Sequence, residues 1–193
     1  MRRRPRSVTV PPSDVVLIGI GANLRCPGLG SLASRPVLAS RHLARAGLRP
    51  WRLSPLYGAR PWPSGLGPRF VNAVALVRSR LAPPVILGRL LAIERVFGRP
   101  RRRRNAPRRL DLDLLAVGEA VTASGCEPVL PHPRLQKRAF VLRPLLDVLP
   151  AWRHPVHAVP VRKLLAHAPR SRDTWPWEWS NRRQKGASRL KTR

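Results

Sequence analysis

Arg108-Arg109-Leu110-Asp111-Leu112-Asp113-Leu114-Leu115-Ala116-Val117 is the stretch whose reading decides the fold. Its leucines, alanine and valine are the content of a core strand, and Gly118-Glu119 ends it as a turn. Residues two apart on a strand face the same side, so Asp111 and Asp113 share one small space. Two like charges that close raise each other's pKa and cost free energy. Cations relieve that cost, and carboxylates without histidine or cysteine suit Mg²⁺. The arginines just upstream are suited to phosphates, so the stretch points to a Mg²⁺-nucleotide site. A D-x-D pair also has a plainer reading, at a strand edge or a helix cap. On a core strand, however, two buried carboxylates need a partner.

The rest of the chain is 193 residues, 43% hydrophobic, enough for one domain with a sizeable core. Cys26 and Cys126 are far apart and carry no metal spacing, so two buried thiols in a reducing, cytoplasmic setting are expected. No apolar run approaches the length of a membrane span, and Val15–Ile20 is too short for a signal-peptide core. The net charge is +29, from 38 Lys+Arg against nine Asp+Glu. It raises nucleic-acid binding as a question. Thirty-four of those cations are arginine and 23 residues are proline, which fits a compositional bias as well as a selected surface. No zinc-finger spacing, basic helix with heptads or aromatic-basic motif accompanies the charge. Salt-sensitive sticking to polyanions is expected, and a dedicated nucleic-acid partner is not.

Working outward from the aspartates, residues 1–13 are basic and proline-rich and read as a disordered extension. Strands are predicted at Val15–Ile20, Trp51–Leu56 and Phe70–Val77, and helices at 35–46, from Pro83-Pro84 through Phe97, and at 161–166. Residues 57–69 and 98–109 read as loops, the second dense in arginine. From Pro169 onward the chain is basic, with Trp175, Trp177 and Trp179 at alternate positions. They fit either an extended strip on the body or a loose tail. The order fits an α+β domain over 14–168, with a tail at 169–193 and helices packed on a mixed or antiparallel sheet.

Four blocks then carry a resemblance. Ile18-Gly19-Ile20-Gly21-Ala22-Asn23-Leu24, Phe70-Val71-Asn72-Ala73-Val74, Ala106–Leu115 and Pro131-His132-Pro133-Arg134 through Leu142 occur in this order. They resemble the opening, asparagine, GPRTLDLDIL and PHPRxxxRxFVL blocks of 2-amino-4-hydroxy-6-hydroxymethyldihydropteridine pyrophosphokinases, enzymes of folate biosynthesis. The resemblance covers about residues 14–166. It implies a single α/β/α sandwich with a ferredoxin-like core and a mostly antiparallel sheet. It also implies transfer of pyrophosphate from ATP to a pterin alcohol, with two Mg²⁺ ions on Asp111 and Asp113, in a monomer without a membrane partner.

Position by position, the resemblance puts Arg99 and Arg108 with the aspartates in catalysis. It puts Glu94, Arg101, Arg108, Leu114, His132 and Arg138 around ATP, and Phe70, Asn72 and Phe140 around the pterin. Read alone, Asn72 has the donor and acceptor that an aminopyrimidinone edge requires, or is a turn asparagine. Phe70 and Phe140 alone read as core residues, His132 as a loop histidine, and Arg101–Arg104 as a solvated run or a phosphate-closing loop. Ala22, Asn105, Ala106 and Arg109 replace the serine, tryptophan, glycine and threonine usual in the family, which bears on lid geometry and rate. Three other readings stay open: another nucleotide-dependent transferase, a nucleic-acid module, and a catalytically idle homologue.

Overall fold

The computed structural model describes residues 14–25, 28–61, 67–98, 107–123, 125–169 and 171–178. Its centre is β1 (Val15–Ala22), whose apolar residues run without the polar alternation of a half-exposed strand. Such a strand is covered on both faces. β1 pairs antiparallel with β4 (Phe70–Arg78) on one side and with β5 (Asp111–Val117) on the other. β2 (Arg49–Leu53) and β3 (Tyr57–Ala59) both pair antiparallel with β4, and β6 (Thr174–Pro176) pairs with β3. The order is β5-β1-β4-β3-β6, with β2 beside β4.

Alternation along the strands divides the core into two layers. Val16, Ile18 and Ile20 of β1, with Leu112 and Leu114 of β5, meet Ala39 and Leu43 of α1 (Arg35–Arg45) and Ile86, Leu90 and Ile93 of α2 (Pro83–Val96). Proline in the first turn of both helices wastes no hydrogen bond, because the opening N–H groups have no partner inside the helix. On the opposite face Leu17, Val74, Leu76 and Leu115 meet Val141, Leu142 and Leu145 of α3 (Ala139–Val148), and Val161 of α4 (Val161–His167). Full burial of each such side chain stabilises the fold by about 1.5–3 kcal/mol.

Three expectations change. Residues 57–59, read as loop, are a strand, because β4 and β6 supply hydrogen-bond partners on both sides that three residues cannot advertise. The segment from Pro169 is not wholly a tail. Arg60 N donates to Asp173 O at 3.2 Å and Trp177 N to Leu56 O at 2.8 Å, so its first part closes the sheet edge. Trp179 lies outside the described residues. Cys126 is exposed rather than buried, on the connection after β5, and Cys26 lies outside the described residues. Among the described residues no helix is long and apolar enough to cross a membrane.

Candidate active site

The carboxylate pair sits on the face of the sheet that α3 covers. Register places Gly19 opposite Asp113 and Gly21 opposite both Asp111 and Asn72. Asp111, Gly21 and Asn72 therefore form one row across three strands. Glycine at 19 and 21 keeps the row open. A Cβ at Gly21 would stand 3.5 Å from Asn72 Oδ1 and 3.8 Å from the Asp111 Cβ. At Gly19 a Cβ would stand 3.6 Å from the Asp113 Cβ. A larger side chain at either position would grow into the space between the carboxylates and the asparagine.

Each aspartate is met by an arginine. Arg108 Nη1 donates to Asp111 Oδ1, and Arg138 Nη1 to Asp113 Oδ2, both at 2.6 Å. Both pairs are partly exposed, with Asp113 the more open of the two carboxylates. Such charge-assisted contacts offset the repulsion the sequence implies. Arg108 is in turn held by the turn after β1. Asn23 is buried, and its Oδ1 accepts from Arg108 N at 2.6 Å. Asn23 N and Leu24 N both donate to Arg108 O at 3.0 Å. Asn23, Gly19 and Gly21 went unread as site residues in the sequence. Their only signal is membership of the block Ile18–Leu24, because the roles arise from register and backbone contact.

Arg138 precedes α3, and its guanidinium lies 5.6 Å from the Phe140 ring centroid. His132 N donates to Leu115 O at 2.8 Å, tying the histidine to β5. Its Nδ1 accepts from Arg134 N at 3.1 Å, which leaves the proton of the neutral ring on Nε2. Burial lowers the His132 pKa, with Arg138 adding to the effect and Asp113 opposing it. Phe70 is half-buried and lies two residues before Asn72, on the same side of β4. Asn72 is buried, and its amide nitrogen has no protein acceptor. A buried N–H donor left without a protein partner marks a place built for a group that is not protein.

The structure thus gathers Phe70, Asn72, Arg108, Asp111, Asp113, His132, Arg138 and Phe140 on one face. It places two residues elsewhere. Glu94 is 1% exposed in the α2 layer, and its Oε1 accepts from Leu112 N at 2.8 Å. Leu114 points into the same layer. Leu114 faces away from the aspartates, with which it alternates along β5, and the Glu94 carboxylate meets the backbone at the open edge of that strand. Arg99 and Arg101 lie outside the described residues.

Residues 17–150 match the family described as 7,8-dihydro-6-hydroxymethylpterin-pyrophosphokinase (HPPK). The chain belongs to this family. Its relatives include the 2-amino-4-hydroxy-6-hydroxymethyldihydropteridine pyrophosphokinase of Synechocystis sp., 37% identical over 139 residues, which are 72% of this chain and 68% of that protein. The pyrophosphokinase of Porphyromonas gingivalis is 34% identical over 152 residues, 76% of this chain and 97% of that protein. Among solved structures, wild-type Plasmodium falciparum HPPK-DHPS with pteroate aligns at a TM-score of 0.58 and 14% identity. That alignment covers 79% of this chain and 42% of the longer protein, so the likeness is one of fold.

Proposed function

We propose that this chain transfers the pyrophosphoryl group of ATP to the hydroxymethyl oxygen of 6-hydroxymethyl-7,8-dihydropterin, releasing AMP, as a step of folate biosynthesis. The observation that carries this reading is the row Asp111–Gly21–Asn72, with a carboxylate site at one end and a buried, unsatisfied amide at the other. Asn72 offers the donor and acceptor needed to read the polar edge of a pterin. Phe70 and Phe140 offer flat faces to its ring.

Asp111 and Asp113 suit Mg²⁺. They are oxygen donors only, and no group of three His, Cys, Asp or Glu able to cage a metal occurs among the described residues. Mg²⁺ is commonly held in this way, by one or two carboxylates with water and substrate phosphates completing the shell. When bound, two such ions supply charge neutralisation at the phosphates and a lowered pKa for the substrate hydroxyl. The count of two rests on the family resemblance. Arg108 and Arg138 keep the free carboxylates in place, and the same forked guanidiniums suit phosphate oxygens. Arg99 and Arg101 fall on the same family pattern. His132, kept neutral by burial, offers its Nε2–H to the nucleotide and is not the base. Positioning and electrostatics account for the rate in this class of reaction, so no protein base is needed.

The path of the chain supports a ferredoxin-like core. One helix lies between β1 and β2, another between β4 and β5, and the strands follow the order β5-β1-β4-β2.

The test is AMP release from Mg²⁺-ATP with and without the reduced pterin alcohol. Pterin-dependent release is expected. Asp111→Asn and Asp113→Asn should each lower kcat about 10³-fold or more, which is about 4 kcal/mol of transition-state stabilisation. Near wild-type turnover in either variant would refute the metal assignment. ATP turnover indifferent to the pterin would point to another acceptor.

A further inference from the structure

The other end of the sheet carries a concave surface that the reaction does not use. A cavity of about 440 Å³ opens there, and four arginines line it: Arg49, Arg78, Arg80 and Arg89. We infer that this cavity is a second binding site, for a small anion carrying two or three linked phosphates.

The place is distinct from the carboxylates. Arg78 pairs with Val15 at one end of the β1–β4 ladder, and Asn72 with Gly21 at the other. Six residues at about 3.3 Å each separate the two ends by about 20 Å. A ligand in one site leaves the other unoccupied.

The arginines come from separate elements that tertiary structure brings to one end of the sheet. Arg49 opens β2 directly opposite Arg78, which closes β4. Arg80 follows in the connection to α2, and Arg89 projects from the middle of that helix. Three of the four have a partner in the fold. The Arg78 guanidinium lies 4.9 Å from the Trp51 ring centroid, a cation–π contact. Arg89 Nη1 donates to Ala46 O, and Gly47 lets the backbone approach so closely that a Cβ there would stand 2.7 Å from Nη1. One of five N–H donors is thereby spent on holding the fork. Ser79 is buried at the cavity wall. Its Oγ accepts from Leu81 N at 3.2 Å and keeps its own proton to donate.

Charge then selects the ligand. Asp14 is the one acidic side chain among the residues lining the cavity, and its Oδ2 lies 3.6 Å from Arg80 Nε. The lining keeps a net of three positive charges. This reverses the arrangement at the aspartates: like charges gathered by the fold, relieved by a counter-ion of matching charge. The segment that joins at Asp14 cannot serve, because residues 1–13 hold four arginines and no acid. Guanidinium forks suit phosphate oxygens in pairs. A volume of this size lies in the range of small-molecule sites, about 300–1,000 Å³. A nucleic-acid backbone would instead track across the outside of the surface.

Isothermal titration of the full chain tests this with two probes, inorganic tripolyphosphate and a nucleoside triphosphate, without Mg²⁺ at about 0.1 M salt. Two classes of site are expected. Arg49→Gln with Arg80→Gln, both exposed positions, should weaken one class at least tenfold and leave pterin-dependent AMP release unchanged. Equal affinity for the two probes at that class means that phosphates alone are read, and tighter nucleotide binding means that the base is read as well. Either supports the site. Arg162→Gln with Arg172→Gln, exposed on other elements, is the control. A single class of site, the same loss in the control pair, or binding of a short oligonucleotide with no saturable triphosphate class would overturn the inference.

Discussion

Asn72 is 5% exposed on β4 with an amide nitrogen that meets no protein acceptor, so Asn72→Leu should strengthen the free protein while removing its ligand. A buried N–H without a partner costs about 1–3 kcal/mol. Leucine has the same branched outline but is larger, and the glycine opposite leaves room for the difference: a Cβ at Gly21 would stand 3.5 Å from Asn72 Oδ1. Allowing for imperfect packing, a net gain of about 1–2 kcal/mol is expected. In a domain of this size that raises Tm by about 2–8 °C. The pterin would lose a donor and an acceptor, each worth about 1–3 kcal/mol when buried, so its affinity should fall about 10²- to 10⁴-fold. Circular dichroism melts without ligand and a fluorescence titration with the pterin alcohol measure the two effects separately. An unchanged or lower Tm would show that the amide is already satisfied in the free protein. Retained affinity would remove Asn72 from the pterin site. Either result refutes the reasoning.

Other substitutions test the supporting structure. Glu94→Leu strips the acceptor from the buried Leu112 N–H and should cost about 1–3 kcal/mol in a urea titration, whereas Glu94→Gln keeps an acceptor and should cost far less. Equal losses would contradict the hydrogen-bond assignment. Gly58→Ala puts a Cβ 2.5 Å from Trp175 Nε1, which should dislodge β6 and speed limited proteolysis of the C-terminal segment about tenfold. In a Trp175→Ala background the same change should add little. His154 is buried, and burial first and the His157 charge second lower its pKa. The unfolded chain therefore takes up that proton more readily. Stability is full above about pH 6.5 and falls as the pH drops below it. Tm measured from pH 7.5 to 5.5 should decline in the wild type and decline less in His154→Phe, where His132 still contributes, and a level wild-type profile would contradict the assignment.

The paired aspartates illustrate what is legible without coordinates. A period of two puts both carboxylates on one face whatever the sheet does, and their mutual repulsion predicts a cationic partner. The core strands and long helices are legible for the same reason, since their apolar period belongs to the segment itself. β3 is not. Three residues carry no period, and Tyr57–Ala59 is a strand only because β4 and β6 flank it. Glu94 shows the converse limit. Its place in the chain matches an acidic residue beside the nucleotide, while the fold engages its carboxylate with the Leu112 N–H at the open edge of β5.

By itself, then, the sequence determined the family, the two carboxylates and their shared face, and the positions of the central strands, because each is written in local spacing or in contiguous blocks. Tertiary structure alone decided which arginine meets which aspartate, that Gly21 opens the row to Asn72, that Asn23 holds Arg108, and that β6 closes the sheet. Apart from Arg108 with Asp111, three positions apart, those contacts join residues from 25 to more than 100 positions apart. Register and packing choose such partners among many of equal local merit.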